Sequence, residues 1–177
     1  MAPVATALAS PGVRLAIDRD LFKSVLRRWA SGVTIVTTRA GGRDHGMTVS
    51  SFSSVSLDPP LVLVCADKKA NTLPAIAESG AFAVNVLAQG QQALSNRFAK
   101  IGNEAERFDC LDCRRGPSGS PWIPEAHAVL DCRVAAVHDA GDHVIYVGEV
   151  LAAEIDETSE PLVYYDARYA ELAPRSA

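Results

Sequence analysis

Five hydroxyl side chains, Ser50, Ser51, Ser53, Ser54 and Ser56, crowd into seven consecutive residues between Gly46-Met47-Thr48-Val49 and the turn Asp58-Pro59-Pro60. Such a run offers hydrogen-bond donors and acceptors without formal charge, which is what a flat, polar, phosphorylated cofactor requires of its site. Serines are also ordinary residues of solvated loops and turns. Here, however, Val49, Phe52 and Val55 continue an apolar period through the run, and an apolar stretch over 61–65 follows at once. The serines are therefore expected to be anchored to a core. Downstream, Asp67-Lys68-Lys69-Ala70-Asn71-Thr72 places two cations and two short polar side chains just ahead of a short helical pattern. Main-chain N–H groups at helix starts attract anions, so Asn71 and Thr72 are candidates for a phosphate. The same residue types are favoured as plain N-caps, and the two roles can coexist.

The four cysteines, Cys65, Cys110, Cys113 and Cys132, are too few and too scattered for a disulfide framework, and reduced thiols in a cytoplasmic protein are expected. Cys110-Leu111-Asp112-Cys113 has half of a zinc spacing, but no second ligand pair completes a tetrahedral set, so no metal site is expected. The chain has 177 residues, with 17 basic and 21 acidic side chains and a formal net charge of −4. That length suits one domain, read here as 17–172, with tails at 1–16 and 173–177. No basic stripe points to nucleic acid. No apolar run reaches the roughly 18 residues of a membrane span, and the first sixteen residues lack the layout of a secretory leader.

The elements that must position these residues follow from periodicity. Leu21, Phe22, Val25, Leu26 and Trp29 fall on one face of a helix over 18–30, with Asp18 as N-cap and the apolar stripe expected to face the core. Residues 33–38 are β-branched almost throughout, which favours a strand. Gly41-Gly42 reads as a hairpin turn returning the chain into 45–51. Short buried strands are expected over 61–65 and 82–87, separated by a brief helix after Asn71 that Ser79-Gly80 closes, with a second helix over 91–100. Two further strands, 128–137 and 143–153, flank a turn at Gly141-Asp142. Close-spaced strands with only small helices between them predict a mainly β protein, a closed or nearly closed antiparallel barrel. A doubly wound parallel sheet would need regular strand and helix alternation, which is absent.

Several separated blocks carry a family resemblance. Gly32-Val33-Thr34-Ile35-Val36-Thr37-Thr38, then residues 46–65, then Phe82-Ala83-Val84-Asn85-Val86-Leu87, Leu94-Ser95-Asn96-Arg97-Phe98-Ala99, Gly141-Asp142-His143-Val144-Ile145, Gly148-Glu149-Val150 and Pro161-Leu162-Val163-Tyr164-Tyr165 occur in one order over about 21–172. In this the chain resembles the flavin reductase-like family. The resemblance implies the closed antiparallel Greek-key split barrel of the FMN-binding type, a homodimer, and reduction of free FMN or FAD by NADH or NADPH. It also implies service as the small component of a two-component flavin monooxygenase. Hydride transfer between two organic cofactors needs binding, orientation and exclusion of water from the protein, not a catalytic triad. The site must hold the reacting atoms about 3 to 3.5 Å apart. A flavin-binding module for electron transfer or sensing, without nicotinamide activity, is the alternative on the same fold.

Carried over residue by residue, the resemblance lays Met47, Thr48, Val49, Ser50 and Ser51 along the flavin ring and ribityl chain, and sets Ser53 and Ser54 near the ribityl or phosphate end. Cys65, Asp67, Lys68, Asn71 and Thr72 join the cofactor set, and Arg97, Phe98 and Ala99 close over the flavin. Arg107 and Phe108 fall at another recurring position, with no role assigned. On the nicotinamide side it places Gly141, Asp142 and His143, with His143 as the catalytic residue, and Tyr165 and Tyr169 in a terminal segment that can reach the site. By residue type alone, a histidine opening a strand is commonly a structural donor, and His45, His127 and His138 are read that way. The loop over 110–122, rich in glycine, serine and proline, is expected to shape nicotinamide access.

Overall fold

The computed structural model describes residues 17–102 and 104–173; the tail at 1–16 lies outside them, as do residues 174–177. Chain order runs α1 (Arg19–Leu26), β1 (Ser31–Gly32), β2 (Thr34–Ala40), β3 (Arg43–Val49), β4 (Phe52–Leu57), β5 (Pro60–Asp67), α2 (Thr72–Ser79), β6 (Ala81–Val86) and α3 (Gln92–Ala99). A 3-10 turn at Glu104–Glu106 precedes β7 (Arg114–Arg115), β8 (Pro121–Trp122), β9 (Ala128–Ala140), β10 (His143–Ile155), β11 (Val163–Tyr165) and β12 (Arg168–Ala170).

Seven strands form one sheet in the order β3-β2-β6-β9-β10-β5-β4, antiparallel at every pairing, with β1-β11-β12 and β7-β8 as small satellite sheets. The two strands at the sheet's ends, β3 and β4, are consecutive in sequence. Gly41 and Gly42, at φ +54° and +75°, make the β2–β3 turn, a conformation that glycine adopts without a Cβ clash. β2 is buried on both faces except at Arg39, so its β-branched residues serve twice. Ile35 and Val36 fill apolar space, while the Thr37 hydroxyl donates to the Pro121 carbonyl at 2.5 Å and the Thr38 hydroxyl to that of Ala81 at 2.8 Å. Those bonds satisfy groups that burial would otherwise penalise.

The main core gathers Val36, Val64, Ile76, Phe82 and Val84, all fully buried, where α2 lies across β2, β3 and β6. Each large apolar side chain so buried contributes about 1.5 to 3 kcal/mol. A second cluster of Ile35, Leu87, Phe98 and Leu162 seats α3, so α2 and α3 are each fixed from beneath. Asp131 organises a third region from full burial. It accepts from the Ser118 amide at 2.8 Å, the Ser118 hydroxyl at 2.7 Å and the Trp122 indole at 3.4 Å, holding the 116–122 loop against the sheet.

One expectation is corrected. Asp18 does cap α1, its carboxylate accepting from the amides of Asp20 and Leu21 at 3.1 and 2.9 Å. The helix ends at Leu26, however, and its apolar stripe faces away from the core, with Leu21, Phe22, Val25 and Leu26 each about half exposed and Trp29 78% exposed. Helical spacing fixes which residues share a face but not what that face meets.

Candidate active site

Segments far apart in sequence line one cleft of about 550 Å3. Met47 to Ser51 contribute the end of β3 and its connection to β4; Cys65, Ala66 and Asp67 contribute the end of β5; Asn71 and Thr72 contribute the start of α2. Phe98, Ala99 and Ile101 come from α3 and the turn after it, and His143 from the first position of β10.

The wall at 47–51 is held from outside. The Thr48 hydroxyl donates to the Ser95 carbonyl at 2.6 Å, tying β3 to α3. Ser51 is tied to β5 twice: its carbonyl accepts from the Cys65 amide at 3.0 Å, and its hydroxyl donates to the Cys65 carbonyl at 2.9 Å. Both hydroxyl protons are thus committed within the protein, leaving oxygen lone pairs and main chain as what these residues offer a ligand. Gly46 permits a close approach beneath this wall. A Cβ there would lie 2.8 Å from a Phe98 ring carbon and 3.1 Å from Phe108, whose rings meet edge to face at 5.0 Å.

Arg107 lies beside the same wall, buried to 6% exposure. Its Nη1 donates to the Gly46 carbonyl at 2.6 Å and its Nη2 to that of Lys100 at 2.7 Å, while its Nε has no hydrogen-bond partner among the described residues. Burial pushes its pKa down from the usual arginine value, with the Glu104 carboxylate opposing the shift. Glu104, 3.6 Å from Arg107 Nη2, accepts from the Asn71 side-chain amide at 2.9 Å.

His143 pairs with Asp67 across the β5–β10 ladder, which brings the imidazole to the rim where β5 ends. Its Nδ1 lies 2.7 Å from the Asp142 carboxylate. The bond to His143 holds the Asp142 carboxyl below the ordinary range, and the charge of Arg19 lowers it further. A carboxylate on Nδ1 fixes the ring's orientation and leaves Nε2 as the free nitrogen.

Of the residues expected at the flavin, the cleft gathers Met47, Thr48, Val49, Ser50, Ser51, Cys65, Asp67, Asn71, Thr72, Phe98 and Ala99, and with them His143 from the nicotinamide side. It does not gather Ser53 and Ser54, which lie exposed on the end strand β4 opposite Leu63 and Val62. Arg97 turns off the helix face that carries Phe98 and donates to the Asp109 carbonyl at 2.8 Å. Lys68 pairs with Asp139, and it is Lys69 that reaches the cleft. Gly141 and Asp142 stand behind His143 in the β9–β10 turn. Tyr165 lines a neighbouring groove with Ser50, Ser51 and Phe52, and Tyr169 lines another with Thr48, Ser50 and Ala99. In the 110–122 loop β8 packs on β2 and β6, and none of the described residues lining this cleft comes from that loop. Residues not anticipated there are Ala66, Lys69, Ala70, Ile101, Glu104 and Arg107. Adjacency to Lys68 was a signal for Lys69, and the recurring Arg107-Phe108 pair was one for Arg107.

A mainly antiparallel β fold carries a cleft that joins a main-chain wall, a helix start and a rim imidazole, an arrangement chemically suited to a polar ligand with an anionic group. The comparisons narrow that class: residues 26–173 match the model of the flavin reductase like domain, and the chain belongs to the flavin reductase-like family. It is 38% identical over 155 residues to the reductase component of an FADH(2)-dependent resorcinol hydroxylase from a Rhizobium species, covering 86% of this chain and 87% of that one. It is 48% identical over 132 residues to an FMN reductase (NADH) of Agrobacterium fabrum, covering 75% and 74%. Among solved structures, the NADH:FAD oxidoreductase of Streptomyces globisporus in complex with NAD and FAD fragments superposes with a TM-score of 0.84 at 36% identity, covering 90% of this chain and 96% of that one.

Proposed function

We propose that this chain is an NAD(P)H:flavin oxidoreductase that reduces FMN or FAD and supplies the reduced flavin to a flavin-dependent monooxygenase. The observation that carries the reading is the meeting, in one cleft, of the 47–51 wall, the start of α2 and the rim histidine, in a chain whose relatives are named as flavin reductases and reductase components. The donors present fit the cofactor. Lys69, Asn71 and Thr72 cluster where a helix start favours a phosphate, and Met47, Val49, Ala66 and Phe98 supply apolar contact for a ring system. When bound together, flavin and nicotinamide supply the hydride chemistry themselves. The protein's part is to hold the flavin against Met47 to Ser51, to keep water from its ring with Phe98 and Ile101, and to orient the nicotinamide with His143 steadied by Asp142.

Two finer features belong to the same proposal. The seven-stranded sheet closes as a split barrel, a reading supported by the contact of β3, at one end of the strand order, with β5, next to the other end. The protein is a homodimer that covers the outward stripe of α1, a reading supported by the exposure of Leu21, Phe22, Val25, Leu26 and Trp29 on one side of a helix. Tyr165 and Tyr169 then border the nicotinamide side. No helix among the described residues is long and apolar enough to cross a membrane. A cytoplasmic location is proposed on a separate ground, the free thiols at Cys65, Cys110, Cys113 and Cys132.

Steady-state oxidation of NADH and NADPH, with and without added FMN or FAD, tests the activity. Turnover is expected to rise and saturate with flavin. Tightly bound flavin with no nicotinamide oxidation would leave the electron-transfer or sensing module as the function. Light scattering on the same sample is expected to give twice the chain mass of 18.8 kDa.

A further inference from the structure

We propose that Glu104 is an internal anion that competes with the flavin phosphate for the start of α2 and so sets how readily flavin leaves the protein. The inference rests on the reading of the cleft as a flavin site. Asn71 stands at the N-cap of α2, where asparagine ordinarily turns its side chain onto its own helix. Here it makes no such bond, and its amide instead donates to the Glu104 carboxylate at 2.9 Å. The same carboxylate lies 3.6 Å from Arg107 Nη2, a buried guanidinium whose Nε is unpartnered among the described residues. Glu104 thus holds together two groups suited to a phosphate, an amide at a helix start and a guanidinium, and it lines the same cleft.

A phosphate monoester brings roughly −1.5 to −2 charge at neutral pH. Placed beside an ionised carboxylate and offered the same donors, it is repelled unless the carboxylate yields. The Glu104 side chain is 34% exposed, so water is at hand to solvate it when displaced. Bonds from its own backbone amide and from Asn71 hold its carboxyl below the ordinary range, so it carries its charge at neutral pH. The consequence is selective: a flavin with a phosphate must displace Glu104, and a flavin without one need not. A protein that hands its product to another enzyme gains from a phosphate subsite weakened in this way.

The test compares FMN with riboflavin, which has the same ring and ribityl chain but no phosphate, in equilibrium titrations of the full chain and of Glu104→Gln. FMN is expected to bind the variant about 5- to 30-fold more tightly, within the range usual for coupled sites, and riboflavin to shift by less than about twofold. FMN release in stopped flow is expected to slow by a similar factor. An equal shift for both flavins, no shift, or weaker FMN binding would overturn the proposal, the last by showing that Glu104 only orients Asn71 and Arg107. Should the wild-type chain bind neither flavin, the cleft reading itself fails and takes this one with it. Glu104→Ala, measured with a thermal melt, keeps the comparison readable if the amide variant folds poorly.

Discussion

Replacing His143 by alanine is expected to lower kcat/KM for the nicotinamide substrate about 100-fold, in line with the loss of one positioning contact in a hydride-transfer geometry. KM for flavin is expected to stay within about twofold of the wild-type value. The asymmetry follows from placement. His143 stands at the rim, at the first position of β10, whereas the wall at 47–51 and the start of α2 belong to other segments of the same cleft. Asp142→Asn is expected to give a smaller loss in the same parameter, because it keeps a polar partner for Nδ1 but removes the charge that favours one ring orientation. Initial rates with each substrate varied at saturating levels of the other separate the two constants. Equal losses on both substrates would remove His143 from the nicotinamide side.

The largest loss of stability is expected from Asp131→Ala. This carboxylate is fully buried and accepts from the Ser118 amide and hydroxyl and from the Trp122 indole. Its removal strands those donors and leaves a void beside Gly116, where the Asp131 and Trp122 side chains pack so closely that a Cβ would come within 2.4 Å of the carboxylate. Leaving a buried polar group unpaired costs about 1 to 3 kcal/mol, and more where the group is charged. A loss of about 3 kcal/mol corresponds to a fall in Tm of roughly 6 to 12 °C for a domain of this size. Thermal melts read it directly, and Asp131→Asn, which keeps one acceptor, is expected to fall between. An unchanged melt would show that the 116–122 loop does not depend on this carboxylate.

What was legible in the sequence was what local chemistry decides. The Asp18 cap, the Gly41-Gly42 turn, the β-branched run that became β2 and the helix at 92–99 each depend on residues within a few positions of one another. The hydroxyl run over 50–56 was legible for the same reason, whereas its extension to a wall at 47–51 came from the family resemblance. Placement across the fold was not. The stripe on α1 announced a helix face but not that it points outward. Ser53 and Ser54 share the hydroxyl chemistry of Ser50 and Ser51, yet the chain enters β4 at Phe52, and there they lie exposed opposite β5. Arg107 touches the Gly46 carbonyl across 61 positions of sequence, a contact that only the packing of α3 and the following turn creates. The Glu104–Asn71 bond is of the same kind.

Where a flavin binds is the most direct test of the cleft's role. A crystal structure of the protein with FMN is expected to show the isoalloxazine along Met47 to Ser51, the phosphate at Lys69, Asn71 and Thr72 with the Glu104 carboxylate moved aside, and His143 Nε2 open to the exposed ring face. A cleft left empty or filled by the protein's own side chains, with FMN bound elsewhere or not at all, would contradict it.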